Sequence, residues 1–297
     1  MMKIKPGKTI QGSFSLLFAA IFYSFYGVFS RIVGIDFGQV FQITARFSII
    51  FIFFFFAVIL TKKWKKIEKK DFKWFALMIL PGLLGAILVF IVFNYLPMGT
   101  AYFTLYAAST LGSFLLGRLL YKEQLTKVKM YSLIASFLGL YLIFADSLSL
   151  GKTFYLILMI IAGLVASAWN IVSKKISSKY SIYQILLVDS FVLVVVSLPI
   201  AIILKEPISF PSFTTPWYGI IAYALVGTAA SFLTINGYKY LQAQIGSLIM
   251  LTEPFFAALV GWLLYMETLT FYTFLGGLLI MLGASLPAIN KLRRYKS

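Results

Sequence analysis

Ten apolar stretches, most of them near the length a helix needs to cross a bilayer, account for most of the chain. They run Ser13–Val33, Gly38–Leu60, Phe72–Tyr95, Thr100–Leu120, Met130–Ala145, Thr153–Ser173, Ser181–Leu204, Trp217–Gly237, Ile245–Met266 and Phe271–Ile289. At 1.5 Å per residue, about 20 residues cover a hydrocarbon core of about 30 Å. Segments of this kind, 61% of the chain being hydrophobic and only 12% charged, have no place in a water-soluble fold, where roughly a quarter of residues are charged. Hydrocarbon offers the backbone no hydrogen bonds, so each stretch must satisfy its own, which predicts an all-α integral membrane protein with ten transmembrane helices. The longest connection, Lys205 to Pro216, is proline-rich and leaves no room for a soluble domain.

The net charge of +17, from 26 Lys and Arg against 9 Asp and Glu, would in a soluble protein suggest nucleic acid. Sorting the charges removes that reading. With a cytoplasmic N-terminus, 21 basic residues fall on the cytoplasmic side, seven of them Lys62, Lys63, Lys65, Lys66, Lys69, Lys70 and Lys73. Only Lys152 and Lys205 fall outside, and Arg31, Arg46 and Arg118 lie at or inside span ends. This is the positive-inside distribution, so the expected location is the cytoplasmic membrane, multi-pass, with both termini cytoplasmic. No nucleic-acid partner is expected. The first span resembles a secretory signal but is too long and lacks a small-residue cleavage site, which predicts a retained helix.

The chain repeats itself. LLYKEQLT at 119–126 returns as LLYMETLT at 263–270, Tyr95-Leu96 as Tyr240-Leu241, Gly139 as Gly283, and YGVFSR from Tyr26 parallels WNIVSK from Trp169. The offsets of 143 to 145 divide the chain into units at 1–146 and 147–297, each with five spans. Five is odd, so the second unit is expected to enter the membrane upside down, as two five-helix inverted-topology repeats. The lysines agree: YKEQLTKVK from Tyr121 carries three, and its twin YMETLTFYT from Tyr265 carries none. Inverted repeats are a device of secondary transporters, with the substrate held between the halves.

The run LTEPFFAALVGWLLYMETLTFYTFLGGLLIMLG, Leu251 to Gly283, resembles the second repeat of EamA-type transporters of the drug/metabolite transporter superfamily. The first half shows the same turn at Glu123-Gln124-Leu125-Thr126. The resemblance covers nearly the whole chain and implies ten helices and the export or exchange of small metabolites. Ser109 stands where the second half has Pro254, so the two halves need not break their helices alike.

Ionisable groups at membrane depth cost about 2.5 to 3.5 kcal/mol each on insertion scales and mark sites by default. Glu253 lies about 12 Å into the ninth span, followed by Pro254, which is expected to kink the helix at the carboxylate. Arg46 in the second span is expected either to meet a substrate carboxylate or phosphate or to pair internally with Glu253 or Asp189 of the seventh span. Arg31 and Arg118 are expected to snorkel to the interfaces. Asn94, Asn170 and Asn236, with Tyr23, Tyr26, Tyr102, Tyr106 and Trp169, are candidates to line a central cavity and stack on a planar substrate. The stripe Thr228, Phe232, Asn236 shares one helix face. Thr126 and Thr270 read as N-caps, with Glu123 and Glu267 supplying helix-end electrostatics.

The absence of His and Cys removes Ser-His chemistry, thiol chemistry and most transition-metal sites, so neither an enzyme nor a metal or other cofactor is expected. The triplets Gly7-Lys8-Thr9 and Gly151-Lys152-Thr153 lack the upstream glycine of a phosphate loop, with Met2 and Asp146 in its place. The expected function is a secondary transporter exporting a small organic metabolite, such as an amino acid, by alternating access. The alternatives are an exchanger of phosphorylated or nucleotide-linked sugars and a non-enzymatic channel. The expected partners are that small molecule and the lipid bilayer, with a homodimer as an open assembly.

Overall fold

The computed structural model describes residues 6–33, 37–93, 95–96, 98–145, 148, 152–266 and 268–296; Asn94, Glu267 and the side chain of Arg31 fall outside what is described. Every regular element among the described residues is helical. The helices are α1 (Pro6–Ser24), α2 (Tyr26–Val33), α3 (Gln39–Thr61), α4 (Phe72–Phe93), α5 (Met98–Tyr121) and α6 (Lys127–Phe144). They continue with α7 (Thr153–Ile176), α8 (Ile182–Ile203), α9 (Thr215–Tyr240), α10 (Ala243–Met250), α11 (Glu253–Tyr265) and α12 (Phe271–Lys296). Among the described residues nine segments are long and apolar enough to cross a membrane, and the apolar part of α12, Phe271–Pro287, is shorter. Phe56, Leu60, Phe154 and Leu263 lie on the outside at 57, 80, 65 and 65% exposure, a surface that only lipid can cover. The chain is a multi-pass membrane protein.

Two expected spans are interrupted. The first is two helices, α1 and α2, broken at Phe25, whose N–H donates to Phe22 O at 3.2 Å in a tightened turn. The kink expected at Pro254 is a full break: α10 stops at Met250, Leu251 and Thr252 turn, and α11 starts at Glu253. Pro254 thus sits in the first turn of α11, where a missing N–H costs nothing. In α5, where Ser109 replaces the proline, the helix is continuous.

The main packing partners are α3 with α8, α6 with α12, α4 and α5 with α7, and α1 with α9, α10 and α11. Helices early in the chain therefore pack on helices late in it. Small residues bring them close: a Cβ on Gly139 would collide with the backbone oxygen of Gly276, and one on Gly277 with the ring of Phe255. Such approach is what membrane helices use, since lipid is as apolar as their side chains. Among the described residues four non-glycine residues have positive φ, Lys62 (51°), Lys205 (53°), Lys122 (52°) and Met266 (54°), and they fall in two pairs separated by the repeat offset.

The α3–α8 seam is fastened at both ends. At the lysine-rich end, Lys179 pairs with Glu68 at 2.7 Å and Asp71 at 2.5 Å. There too Ser181 Oγ donates to Lys63 O, and Gln184 exchanges hydrogen bonds with the backbone of Lys65. At the opposite end the carboxylate of Glu206 accepts the N–H groups of Val40 (3.1 Å) and Phe41 (2.7 Å) in the first turn of α3. The carboxylate lies against Gly38, where any side chain would collide with it.

Candidate functional site

Both helix breaks deliver polar residues to one region. Tyr23 and Tyr26 flank the break at Phe25, and Glu253 begins α11. Arg46 projects from α3, two turns in from its N-terminus, and is only 9% exposed. Its guanidinium carbon stands 4.4 Å from the ring centroid of Tyr223, 4.9 Å from Phe47 and 5.3 Å from Tyr26, and its Nε has no hydrogen-bond partner. Cation–π attraction, about 2 kcal/mol or more when desolvated, holds it among these rings together with a side-chain hydrogen bond to Tyr223. Tyr26 meets Tyr223 edge-on at 4.5 Å and Tyr23 at 5.0 Å, and the Tyr23 hydroxyl is 3.4 Å from Ser231 Oγ.

Glu253 accepts the hydroxyl of Tyr106 at 2.6 Å, and Tyr102 stacks on Tyr106 at 6.0 Å. Tyr23, Tyr26 and Tyr223 lie within the electrostatic reach of both Arg46 and Glu253. Among the described residues no salt bridge joins the two charges, so the internal pair expected of Arg46 with Glu253 or Asp189 is absent. The structure instead places a cation and a carboxylate around one tyrosine cluster, each held by aromatic groups.

The other sequence candidates separate. Asp189, 2% exposed, accepts the indole N–H of Trp169 at 3.1 Å. Trp169 in turn fills the space over Gly82, where a Cβ would stand 3.0 Å from its ring. Asn236 donates to Ser15 Oγ at 2.8 Å, binding α9 to α1. Asn170 offers its backbone oxygen to Ser173 Oγ. Of the stripe on α9, Phe232 packs on Tyr183 at 5.6 Å and Thr228 bonds its own helix at Ala224 O. Thr126 and Thr270 cap as expected, accepting from Lys129 N and Thr273 N. Glu123 caps a different helix, α10, accepting Ala243 N at 2.7 Å and Gln244 N at 3.1 Å.

Tyr223 is the residue that sequence reasoning missed. Its only signal was its place between Gly219 and Gly227 at helical spacing. A Cβ at Gly219 would touch Ile32 and one at Gly227 the Tyr26 hydroxyl at 2.8 Å, so these glycines seat α2 against α9 and bring Tyr26 onto Tyr223.

Comparison with known proteins bears on this architecture. The EamA-like transporter family matches residues 10–145 and again 153–288. An uncharacterized transporter of Archaeoglobus fulgidus is 31% identical over 147 residues, covering 49% of this chain and about half, 51%, of that protein. A solved crystal structure superposes with a TM-score of 0.78 over 96% of this chain and 99% of its own, at 17% identity, a likeness of fold. The class is thus a helical membrane transporter of small molecules. Within it, the chain belongs to the EamA-like transporter family, which it matches twice over.

Proposed function

We propose that the protein is a ten-crossing secondary transporter that moves a small zwitterionic metabolite, such as an amino acid, out of the cell by alternating access of two inverted five-helix halves. The observation that carries the reading is the pair of opposite charges, Arg46 and Glu253, set around one tyrosine cluster and not joined to each other. A buried Arg that keeps an unpartnered donor leaves a hydrogen bond for an incoming anion to complete. A carboxylate on the other side of the tyrosines suits an ammonium group. Tyr23, Tyr26, Tyr102, Tyr106 and Tyr223 would supply the walls, and the breaks at Phe25 and Leu251–Thr252 the discontinuous helices such sites use. Trp169, Asp189, Asn170 and Asn236 would act around this centre, on the helices that shape it.

Inversion of the halves is supported by three features. The positive-φ pairs recur at the repeat offset. The packing of α4 and α5 on α7 is mirrored by that of α9 and of α10 with α11 on α1. The lysines concentrate at one end, which would face the cytoplasm with both termini. Proteoliposome counterflow with a panel of labelled amino acids tests the reading: saturable, trans-stimulated flux is expected in the wild type and at least a tenfold loss in Arg46→Gln. Unsaturable flux without counterflow would instead indicate a channel. For proton coupling through Glu253, an imposed pH gradient should accelerate wild-type flux and leave Glu253→Gln unaffected; equal acceleration in both would exclude that carboxylate.

A further inference from the structure

At the lysine-rich end, a buried polar knot joins the loop after α5 to the other half of the chain. Glu123, 3% exposed, has both carboxylate oxygens on the first two amides of α10, where aligned peptide dipoles favour an anion. Lys174, at the end of α7, stands 3.6 Å from Glu123 Oε1, donates to Leu241 O at 2.6 Å and lies 4.5 Å over the Tyr121 ring. The Tyr121 hydroxyl donates to Ile171 O at 2.9 Å. Lys129, 5% exposed, donates to Gln244 Oε1 at 2.5 Å and to Gln124 O at 2.9 Å. Gly117 lets the chains approach, since a Cβ there would stand 3.0 Å from that of Ala243.

One of these contacts has a twin. Tyr265 and Val28 stand at the repeat offsets from Tyr121 and Ile171, and the Tyr265 hydroxyl again donates to the carbonyl of its counterpart, Val28. The two copies differ in tightness: 2.9 Å and part-buried for Tyr121, 3.4 Å and exposed for Tyr265. Two equivalent struts on opposite faces, one shut and one slack, are what a molecule closed at one end looks like when its halves are related by inversion. The α3–α8 seam, by contrast, is fastened at both ends.

We propose that Tyr121, Glu123, Lys129 and Lys174 form a gate at the lysine-rich face, with the Tyr265–Val28 strut as its counterpart at the opposite face, the two closing in turn. The proposal rests on the alternating-access reading above. Opening toward the lysine-rich side requires Glu123 to leave the α10 amides and the Tyr121 strut to part, while the Tyr265 strut shortens. Every group in the knot is then returned to water, so the switch trades one set of hydrogen bonds for another.

The chain contains no cysteine, so spin labels can be placed by substitution alone. One pair, Lys127→Cys with Lys239→Cys, spans the proposed gate; a second, Ile32→Cys with Tyr272→Cys, spans the opposite face. In nanodiscs of phosphatidylethanolamine and phosphatidylglycerol, Glu123→Gln should raise the population with a long distance across the first pair roughly tenfold, the scale of a lost hydrogen bond to a charged group, and Tyr121→Phe about fivefold, the scale of a neutral one. The second pair should shorten in the same molecules, by a few ångströms, on the order of a helical turn. Tyr265→Phe should leave the first pair closed. Unchanged distances in both gate variants overturn the proposal, as does lengthening of both pairs together, which would make the knot merely structural. If Glu123→Gln does not fold, Tyr121→Phe alone decides. Wild-type counterflow is read on the same preparation: its absence with reciprocal distances removes the transport reading and leaves the gate, and its presence without reciprocity does the reverse.

Discussion

At the scale of single residues, the pairing of Asp189 with Trp169 shows how a lone carboxylate is kept in an apolar helix. The indole N–H is the donor that meets it, and leaving a buried acceptor unmet costs about 1–3 kcal/mol. Trp169→Phe should therefore lower the unfolding midpoint in detergent by that order, and Asp189→Asn, which keeps an acceptor, by less. The double variant should cost less than the sum of the two, because the sites are in contact; strict additivity would mean that the bond contributes nothing. Polar residues in apolar helices were legible in the sequence one at a time, since each stands out against its surroundings. Which of them meet was not, because Trp169 and Asp189 are on different helices and Arg46 finds rings rather than a carboxylate. Tyr223 was hidden by company: in a chain that is 18% aromatic, one more tyrosine carries no signal until packing selects it.

Elements make a different demand. Where α6 meets α12, glycine is needed for closeness: a Cβ at Gly276 would run into the backbone of Gly139 and meet Ile143 Cγ1 at 2.9 Å, whereas one at Gly7 meets nothing within 4 Å. Gly276→Val should destabilise by about 1–3 kcal/mol, as overpacking does, with Gly7→Ala unchanged as the reference. The ties at the lysine-rich end of α3 and α8 give a pH signature. Hydrogen bonds from Lys179, then Lys70, hold Glu68 below its ordinary value, so its contribution is present above about pH 4.3 and is lost as pH falls through the folded value. Asp71, then Glu68, raise Lys179, so its contribution is present below about pH 10.4 and fades as pH climbs through the raised value. Stability attributable to this tie should be flat between those limits and fall outside them, and in a thermal-denaturation series Lys179→Gln should abolish the alkaline edge and weaken the acid one, which Lys70 still supports at 3.0 Å from Glu68. The break in the ninth span was legible because a proline announces it. The break at Phe25 was not, since no proline marks it and only Ser24, whose hydroxyl donates to Ile21 O at 2.6 Å, and Gly27 stand beside it.

For the whole molecule, membership of a family matched at 10–145 and again at 153–288 was legible because it is a property of long stretches, insensitive to any single contact. Orientation can be read directly. Phe213, 96% exposed in the loop before α9, replaced by cysteine, should react with a membrane-impermeant maleimide in intact cells, and Lys63→Cys only after permeabilisation; the reverse pattern would turn the molecule over. The way the helices are distributed has a consequence for how such a protein is made. The first helices of the chain find their main neighbours among the last: α1 waits for α9, α4 and α5 for α7, α6 for α12. A nascent chain stopped after α6 would therefore lie in the bilayer with its seams unfilled, and its most available substitute partner is another copy of itself. Membrane insertion and folding are separate events here, the second unable to finish until synthesis does, and a severed first half should be recovered not as a monomer but as a pair.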